Sequence, residues 1–167
     1  NDDPTILITG CGGGGSNNLI RAIEASEYDV SLVGTNADRS FLGRSMADDN
    51  YLIPWASEEE AYVDALNRIT DRHGADLVVP TNETEIDVVS RRRDDLDAST
   101  FLPPDASIQL CQDKYEFYVE LDDQDREVPE VHAIEDLDDL DRIIEDLPGD
   151  ETYWCRMREG TGSKGAL

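Results

Sequence analysis

The sequence predicts an α/β protein: a doubly wound, mainly parallel sheet followed by a smaller, partial α+β lobe. Short apolar runs of strand length alternate with segments whose apolar residues recur at helical spacing, which is typical of a parallel sheet covered on both faces. A glycine-rich loop separates the first predicted strand from the first predicted helix. The alternation changes after Pro103 and Pro104, so we predict one domain at residues 1–104 and a second at residues 105–167.

The strands predicted in the first domain are apolar runs bounded by glycine, proline or polar residues. They cover residues 5–9, 30–34, 51–54, 76–80 and 101–102. The helices predicted between them cover residues 17–25 and 41–47, the segment between Ser57 and Gly74, and residues 83–96. We expect Ser16 or Asn17 to cap the first helix, and Ser57 with Glu60 to form a capping box before the third.

The second domain is predicted to contain helices at residues 107–121 and 137–147 and strands at residues 128–134 and 152–157. The later strand leads into a second glycine-rich loop, residues 160–165. A loop of this kind usually leads back into the fold, and only Ala166 and Leu167 follow it. We therefore expect the second domain to be truncated.

The chain is strongly acidic, with 39 Asp and Glu residues against 14 Lys and Arg residues and a net charge of −25. This balance argues against a nucleic acid partner, because phosphate backbones are bound by clustered cations. The excess of Asp and the scarcity of Lys resemble halophilic proteins, so we expect the fold to require molar salt.

No apolar stretch reaches the roughly 20 residues that cross a bilayer. The three widely spaced cysteines, Cys11, Cys111 and Cys155, suggest neither a disulfide framework nor a zinc cluster, and we expect them to be small core residues. A cytoplasmic protein without a membrane partner is therefore expected.

The first glycine loop, residues 10–15, partly matches a dinucleotide-binding fingerprint, in which glycines let the backbone approach a pyrophosphate. Thr35 and Asn36 stand where that fingerprint needs an acidic residue for the ribose. Three interpretations stay open: binding of NAD, binding of another small ligand, and a structural turn.

If this edge of the sheet faces a substrate, five residues are candidates to line it, because ligands bind at the carboxyl ends of parallel strands. They are Gly12, Gly13, Gly14, Asn82 and Glu83. Glu85 follows the same strand and could face the ligand as well. Capping of the following helix, by Asn82 or Thr81 together with Glu85, is an equal alternative.

A second group of residues has chemistry that suits a polyphosphate, because backbone N–H groups of a glycine loop and cationic side chains both bind phosphate oxygens. The group comprises Lys114, Arg156, Gly160, Gly162, Ser163, Lys164 and Gly165. A flexible surface hairpin and a solvated lysine are the structural alternatives.

The order of these motifs resembles the start of an ATP-grasp domain: Asp113-Lys114 early in a helix, Val-Pro-Glu-Val at 128–131, a leucine-striped helix, and Arg156 before Gly-x-Gly-Ser-x-Gly. Residues 1–104 resemble the Rossmann-like pre-ATP-grasp domain, through the Ile-Thr-Gly-x-Gly-Gly-Gly opening and Val-Pro-Thr-Asn-Glu-Thr-Glu at 79–85. The chain is most similar to carbamoyl phosphate synthase large-subunit-like proteins and related carboxylate–amine ligases, and Arg156 favours the carbamoyl phosphate synthase branch.

The resemblance implies a fragment of an ATP-dependent ligase that activates a carboxylate or carbonate by phosphorylation, with ATP and Mg²⁺ as cofactors. Lys114 and Arg156 would contact the ATP phosphates or adenine, and the second glycine loop would cover the triphosphate. The magnesium ligands are expected beyond residue 167, so no catalytic residue and no metal ligand are expected in this chain, and the chain alone is expected to be inactive.

ATP and a small carboxylate or carbonate are the expected partners, and a homo-oligomer is left open. Two alternatives remain: an NAD(P)-dependent oxidoreductase domain that uses the first glycine loop, and a non-catalytic binding module.

Overall fold

The computed structural model describes residues 3–147, residue 149 and residues 152–160. The chain divides into two compact units, Asn1–Asp105 (unit 1) and Ala106–Leu167 (unit 2). None of the helices in the described part combines the length and the apolar character that a membrane-spanning segment needs.

Unit 1 alternates strands and helices along the chain. Its strands are β1 (Thr5–Ile8), β2 (Ser31–Asn36), β3 (Asp49–Leu52), β4 (Leu77–Val79) and β5 (Ser99–Thr100). Its helices are α1 (Gly14–Glu24), α2 (Arg39–Leu42), α3 (Glu59–His73) and α4 (Glu83–Arg91), with a 3₁₀ turn at Arg93–Asp95. Helix α5 (Asp105–Gln112) begins at the unit boundary, and unit 2 also contains α6 (Lys114–Asp123) and α7 (Leu137–Asp146).

The five strands form one parallel sheet in the order β3–β2–β1–β4–β5, so the predicted doubly wound α/β class is confirmed. Strand β1 is central, and its Ile6 lies opposite Leu32 of β2 and Leu77 of β4. The direction in which strands are added reverses between β3 and β4. In open α/β sheets ligands bind at such a reversal, which here lies at the carboxyl ends of β1 and β4.

Each face of the sheet has its own core, because successive residues of a strand point to opposite faces. Leu7 packs with Tyr62 and Leu66 of α3, which are buried as their helical spacing predicts. Ile8 packs on the other face with Ile20 of α1 and with Cys11. Cys11 is therefore a core residue as predicted, whereas Cys111 and Cys155 are exposed and that prediction is wrong.

The predicted cap of α1 is wrong. The helix begins at Gly14 with Gly13 as its N-cap, and no side chain caps it. Ser16 lies inside the helix, where its one hydroxyl proton is shared between the carbonyl oxygens of Gly10 and Gly13, both 3.0 Å from the hydroxyl oxygen. The Ser16 side chain therefore closes the loop before the helix instead of holding the helix start.

The predicted capping box of α3 is also wrong. The helix begins at Glu59 after Glu58, without a side-chain cap bond. The Glu58 N–H donates to the carbonyl oxygen of Trp55 at 2.8 Å, so a turn holds Ser57 before the helix begins. The α4 cap is confirmed, because the side chain of Asn82 accepts from the Glu85 N–H at 3.0 Å.

Unit 2 differs from the prediction in two respects. The helix expected at residues 107–121 is interrupted at Asp113, whose carboxylate accepts the N–H groups of Tyr115 (3.0 Å) and Glu116 (3.2 Å) and so caps α6. The strands expected at residues 128–134 and 152–157 are not formed, because a strand needs a partner ladder and the described residues of unit 2 supply none.

Gly12 is required by packing. Its φ is +89°, and a Cβ atom built on it would lie 1.7 Å from the carbonyl oxygen of Phe41 in α2. At Gly15, three residues later in α1, an added Cβ atom would have no neighbouring atom within 4 Å. A larger residue should therefore destabilise the fold at Gly12 and be tolerated at Gly15.

We predict that Gly12→Ala lowers the free energy of unfolding by about 3 kcal/mol or more, because the methyl group meets rigid backbone at a left-handed φ. Gly15→Ala is the matched control and should leave stability unchanged or raise it by up to about 1 kcal/mol through helix propensity. Denaturant unfolding of both variants in molar KCl measures the difference, and equal stability of the two would contradict the packing.

Candidate functional site

The carboxyl ends of β1 and β4 are joined by hydrogen bonds at the reversal of the sheet. The Thr9 N–H donates to the carbonyl oxygen of Val79 at 3.0 Å, which continues the ladder beyond both strands. The Thr81 hydroxyl donates to the carbonyl oxygen of Thr9 at 2.7 Å. The two loops that leave this edge are therefore held side by side.

Glu85 lies in the first turn of α4 and points its carboxyl into this junction, where the residue is only 5% exposed. Its Oε2 accepts the Thr9 hydroxyl at 2.6 Å and the side-chain N–H of Asn82 at 2.5 Å. Asn82 thus caps α4 with its oxygen and binds Glu85 with its nitrogen. One carboxyl oxygen joins the end of β1 to the start of α4.

Burial raises the pKa of the Glu85 carboxyl to about 7, and the hydrogen bond from Thr9 together with the nearby Tyr62 hydroxyl and Gly10 N–H partly offsets the rise. No Lys, Arg or His side chain pairs with Glu85 among the residues that the structure describes. The Tyr62 hydroxyl faces the same carboxyl and is itself buried without a well-aligned partner in the described chain. Burial and the nearby carboxyl raise the pKa of Tyr62 far above its ordinary value.

The first glycine loop is held mostly by internal contacts. The Cys11 N–H donates to the carbonyl oxygen of Thr35 at 2.9 Å, and the Asn36 side chain donates to the Cys11 carbonyl oxygen at 2.7 Å. The other side-chain atom of Asn36, Oδ1, accepts the N–H of Asp38 at 2.8 Å. The amide at the position where a dinucleotide ribose would be bound is therefore already engaged within the chain.

The predicted substrate-facing residues separate into two sets. Gly12 packs under α2, and Asn82 caps α4 and binds Glu85. Gly13 is the N-cap of α1, Gly14 is its first residue with open space beside it, and Glu83 is the first residue of α4. Gly13, Gly14 and Glu83 lie at the carboxyl edge, where a ligand of this sheet would bind.

In unit 2, Lys114 is brought to the chain segment that precedes the second glycine loop. Its ammonium donates to the carbonyl oxygens of Arg158 at 3.2 Å and of Gly160 at 2.9 Å. Its backbone N–H also donates to the Arg158 carbonyl oxygen, at 3.0 Å. A lysine ammonium has three N–H donors, so these two contacts leave one for a further acceptor.

Two arginines flank this contact in different electrostatic states. Arg158 binds Asp113 at 2.5 Å and Glu116 at 3.1 Å, and its hydrogen bond holds the pKa of Asp113 below the ordinary value. Arg156 lies over the ring of Tyr118, with its guanidinium carbon 5.8 Å from the ring centre. Within the described residues no carboxylate pairs with Arg156.

The structure therefore brings Lys114 together with Gly160, and it places Arg156 against α6, the helix that begins with Lys114. Gly162, Ser163, Lys164 and Gly165 lie outside the described residues. No group of three His, Cys, Asp or Glu side chains suited to a metal ion occurs in the part of the chain that is described.

Two features are not evident from the sequence. The sequence offers Glu85 either as a residue that faces a ligand or as the partner in a helix cap, but its burial against Thr9 depends on β1 and β4 being neighbours in the sheet. The three-residue spacing of Asn82 and Glu85 is the available signal. Nothing in the sequence around Arg158 indicates that it pairs with Asp113, which lies 45 positions earlier.

Comparison with known proteins gives no sequence match, since no protein-family model and no curated protein matches the chain. Solved structures match its fold. The N5-carboxyaminoimidazole synthetase of Staphylococcus aureus, complexed with ADP, covers 98% of this chain and 40% of its own, with a TM-score of 0.68 and 20% identity. The L-amino acid ligase of Bacillus licheniformis covers 96% and 38%, with a TM-score of 0.66 and 14% identity.

The biotin carboxylase domain of the 2-oxoglutarate carboxylase of Hydrogenobacter thermophilus, in complex with MgADP and bicarbonate, covers 99% of this chain and 37% of its own, with a TM-score of 0.63 and 18% identity. These three structures, two of them complexes with ADP or MgADP, share the fold of this chain, and at 14–20% identity the likeness concerns the fold alone. The chain spans about two fifths of their length. At these identities the likeness does not single out the carbamoyl phosphate synthase-like group.

We predict that Glu85→Gln changes the pH dependence of stability. Below the ordinary pKa of 4.5 the carboxyl is protonated in both the folded and the unfolded chain. Between 4.5 and about 7 only the folded chain keeps the proton, so this group makes stability fall as pH rises, and the full cost is present above about 7.

The stability of Glu85→Gln relative to the parent chain should therefore rise by about 2 to 3 kcal/mol between pH 5 and pH 8. Denaturant unfolding in molar KCl measures this difference. Glu24→Gln, at an exposed position of α1, is the control and should show no such trend. A constant difference for Glu85→Gln across this range would contradict the buried, unpaired carboxyl.

Proposed function

We propose that the chain is part of an ATP-dependent ligase of the carbamoyl phosphate synthase-like or carboxylate–amine ligase group, which activates a carboxylate or carbonate by phosphorylation. Unit 1 corresponds in this proposal to the pre-ATP-grasp domain and unit 2 to the first part of the ATP-grasp domain. The fold shared with ATP-grasp enzymes supports the general class. The observation that carries the proposal is the cationic grouping in unit 2.

This grouping is unusual in a chain with a net charge of −25. Arg156 stacks on an aromatic ring rather than pairing with a carboxylate of the described residues, so its guanidinium keeps its donors for another anion. Lys114 retains one N–H donor while it holds the backbone at Arg158 and Gly160. A polyphosphate offers the acceptors and the negative charge that these groups lack.

Lys114 has two tasks in this proposal. Its contacts with two carbonyl oxygens fix the start of the second glycine loop beside α6, and its third donor and positive charge bind phosphate. Arg158 does not bind phosphate here, because Asp113 and Glu116 neutralise it. It orders the same segment by joining it to the N-terminus of α6.

The acceptor substrate is assigned to the carboxyl edge of the sheet in unit 1, beside Gly13, Gly14 and Glu83. Backbone N–H groups at the start of α1 suit the negative charge of a carboxylate or carbonate. The described residues contain no cluster that fits Mg²⁺, so we assign the metal no ligand in them.

Two contacts count against an NAD(P)-dependent oxidoreductase. The side of Gly12 on which a pyrophosphate would approach in the dinucleotide fingerprint is filled by the Phe41 carbonyl. The Asn36 side chain already makes one hydrogen bond at each of its polar atoms, and it is a neutral amide where the fingerprint needs a carboxylate.

Calorimetric titration of the chain in molar KCl with MgATP and, separately, with NAD⁺ and NADH tests the proposal. We expect MgATP to bind and the dinucleotides not to bind. Arg156→Ala should weaken MgATP binding by about tenfold, because a charge-assisted hydrogen bond is lost. The matched control is Arg126→Ala, at an exposed position in the same unit, which should bind as the parent chain does.

Dinucleotide binding without MgATP binding would contradict the proposal, and so would equal MgATP affinity in Arg156→Ala and the parent chain. The chain alone is expected to release no phosphate from ATP above a control without protein. Helix content from circular dichroism shows that each variant is folded.

A further inference from the structure

The carboxyl of Glu85 connects three elements of unit 1 at the point where the first glycine loop begins. Its Oε2 accepts from Thr9 at the end of β1 and from Asn82 at the start of α4, and Tyr62 of α3 faces the same group. The bond between Thr9 and Glu85 joins residues that are 76 positions apart in the sequence. Separation of this carboxyl from its donors would remove the link from Thr9 to α4 and leave the Thr81–Thr9 hydrogen bond as the side-chain contact between the two loops.

Gly10, the first residue of the glycine loop, lies directly against this carboxyl. Its φ is +62°, and a Cβ atom there would lie 2.6 Å from the Thr81 hydroxyl and 3.1 Å from Oε2 of Glu85. The Gly10 N–H is close enough to the Glu85 carboxyl to lower its pKa, against the larger effect of burial. The position of the first glycine loop thus depends on the Glu85 carboxyl.

Ionisation of Glu85 changes the charge of this junction without a compensating cation. The groups that face it are the hydroxyls of Thr9 and Thr81, the amide of Asn82, the Tyr62 phenol and, through the loop, the Cys11 thiol. Burial raises the pKa values of Tyr62 and Cys11, so both stay neutral near pH 7. A buried carboxylate without a counterion is costly, and water or solvent cations reach it only if the loops separate.

We propose that Glu85 is a protonation-dependent positioning residue: its neutral carboxyl holds the first glycine loop against the start of α4, and its ionisation releases that loop. The ordered loop is therefore the form present on the acidic side of neutrality, and the loop loosens on the alkaline side. This role concerns the shape of the carboxyl edge and holds whether or not the ligand there is the one proposed above.

Amide hydrogen exchange of the parent chain in molar KCl tests the proposal, with peptides covering residues 9–17 compared at pH 6 and pH 8.5 after correction for intrinsic exchange rates. Protection in the parent chain should fall by about tenfold at the higher pH, because local opening becomes more populated. Glu85→Gln, which cannot ionise, should keep its protection within about twofold. Glu24→Gln, on the helix that follows the loop, should behave as the parent chain does.

Equal losses of protection in Glu85→Gln and the parent chain would overturn the proposal, as would undiminished protection of the parent chain at pH 8.5. A second measurement needs no variant. The ¹⁵N-labelled amide of Gly10 in the parent chain should shift with a midpoint near neutral pH, and an amide that does not titrate between pH 5.5 and 8.5 would also overturn it.

Discussion

The shared hydrogen bonds at Oε2 of Glu85 are the constraint on which the candidate edge of unit 1 depends. Parallel strands bring β1 and β4 together along their length, but their loops diverge toward α1 and α4, and side chains must hold them. Thr81 does so through its bond to the Thr9 carbonyl oxygen, and Thr9 and Asn82 do so through one buried carboxyl that has no cationic partner in the described chain. The glycine loop, the cap of α4 and the reversal of the sheet therefore share one titratable group.

The order of elements in unit 1 could be predicted because periodicity and turn residues act locally. The spacing of Tyr62 and Leu66 and the left-handed Gly74 define α3 without reference to any neighbour. The two capping predictions failed because residue type alone does not say which backbone group a side chain contacts. Ser16 suits a cap by type, yet its hydroxyl closes the turn at Gly10, and a sequence alone does not distinguish the two uses.

The sequence predicts some features of the candidate sites and misses others, because many of their contacts join residues that are far apart along the chain. The cationic residues of unit 2 stand out against an acidic chain, but the pairing of Arg158 with Asp113 joins segments 45 positions apart. The strands expected there illustrate the same limit, since Val128 and its neighbours have strand-like composition but no ladder in the described residues. Glu85 is recognisable as a capping residue, whereas its burial follows only from the strand order.

A ¹³C titration of the Glu85 carboxyl carbon in the parent chain in molar KCl is the most direct test of this constraint, with the resonance assigned from its absence in Glu85→Gln. We expect a midpoint near pH 7, because burial without a counterion opposes ionisation. A midpoint near the ordinary value of 4.5 would mean that the carboxyl is solvated or paired, and it would contradict the structure of this edge.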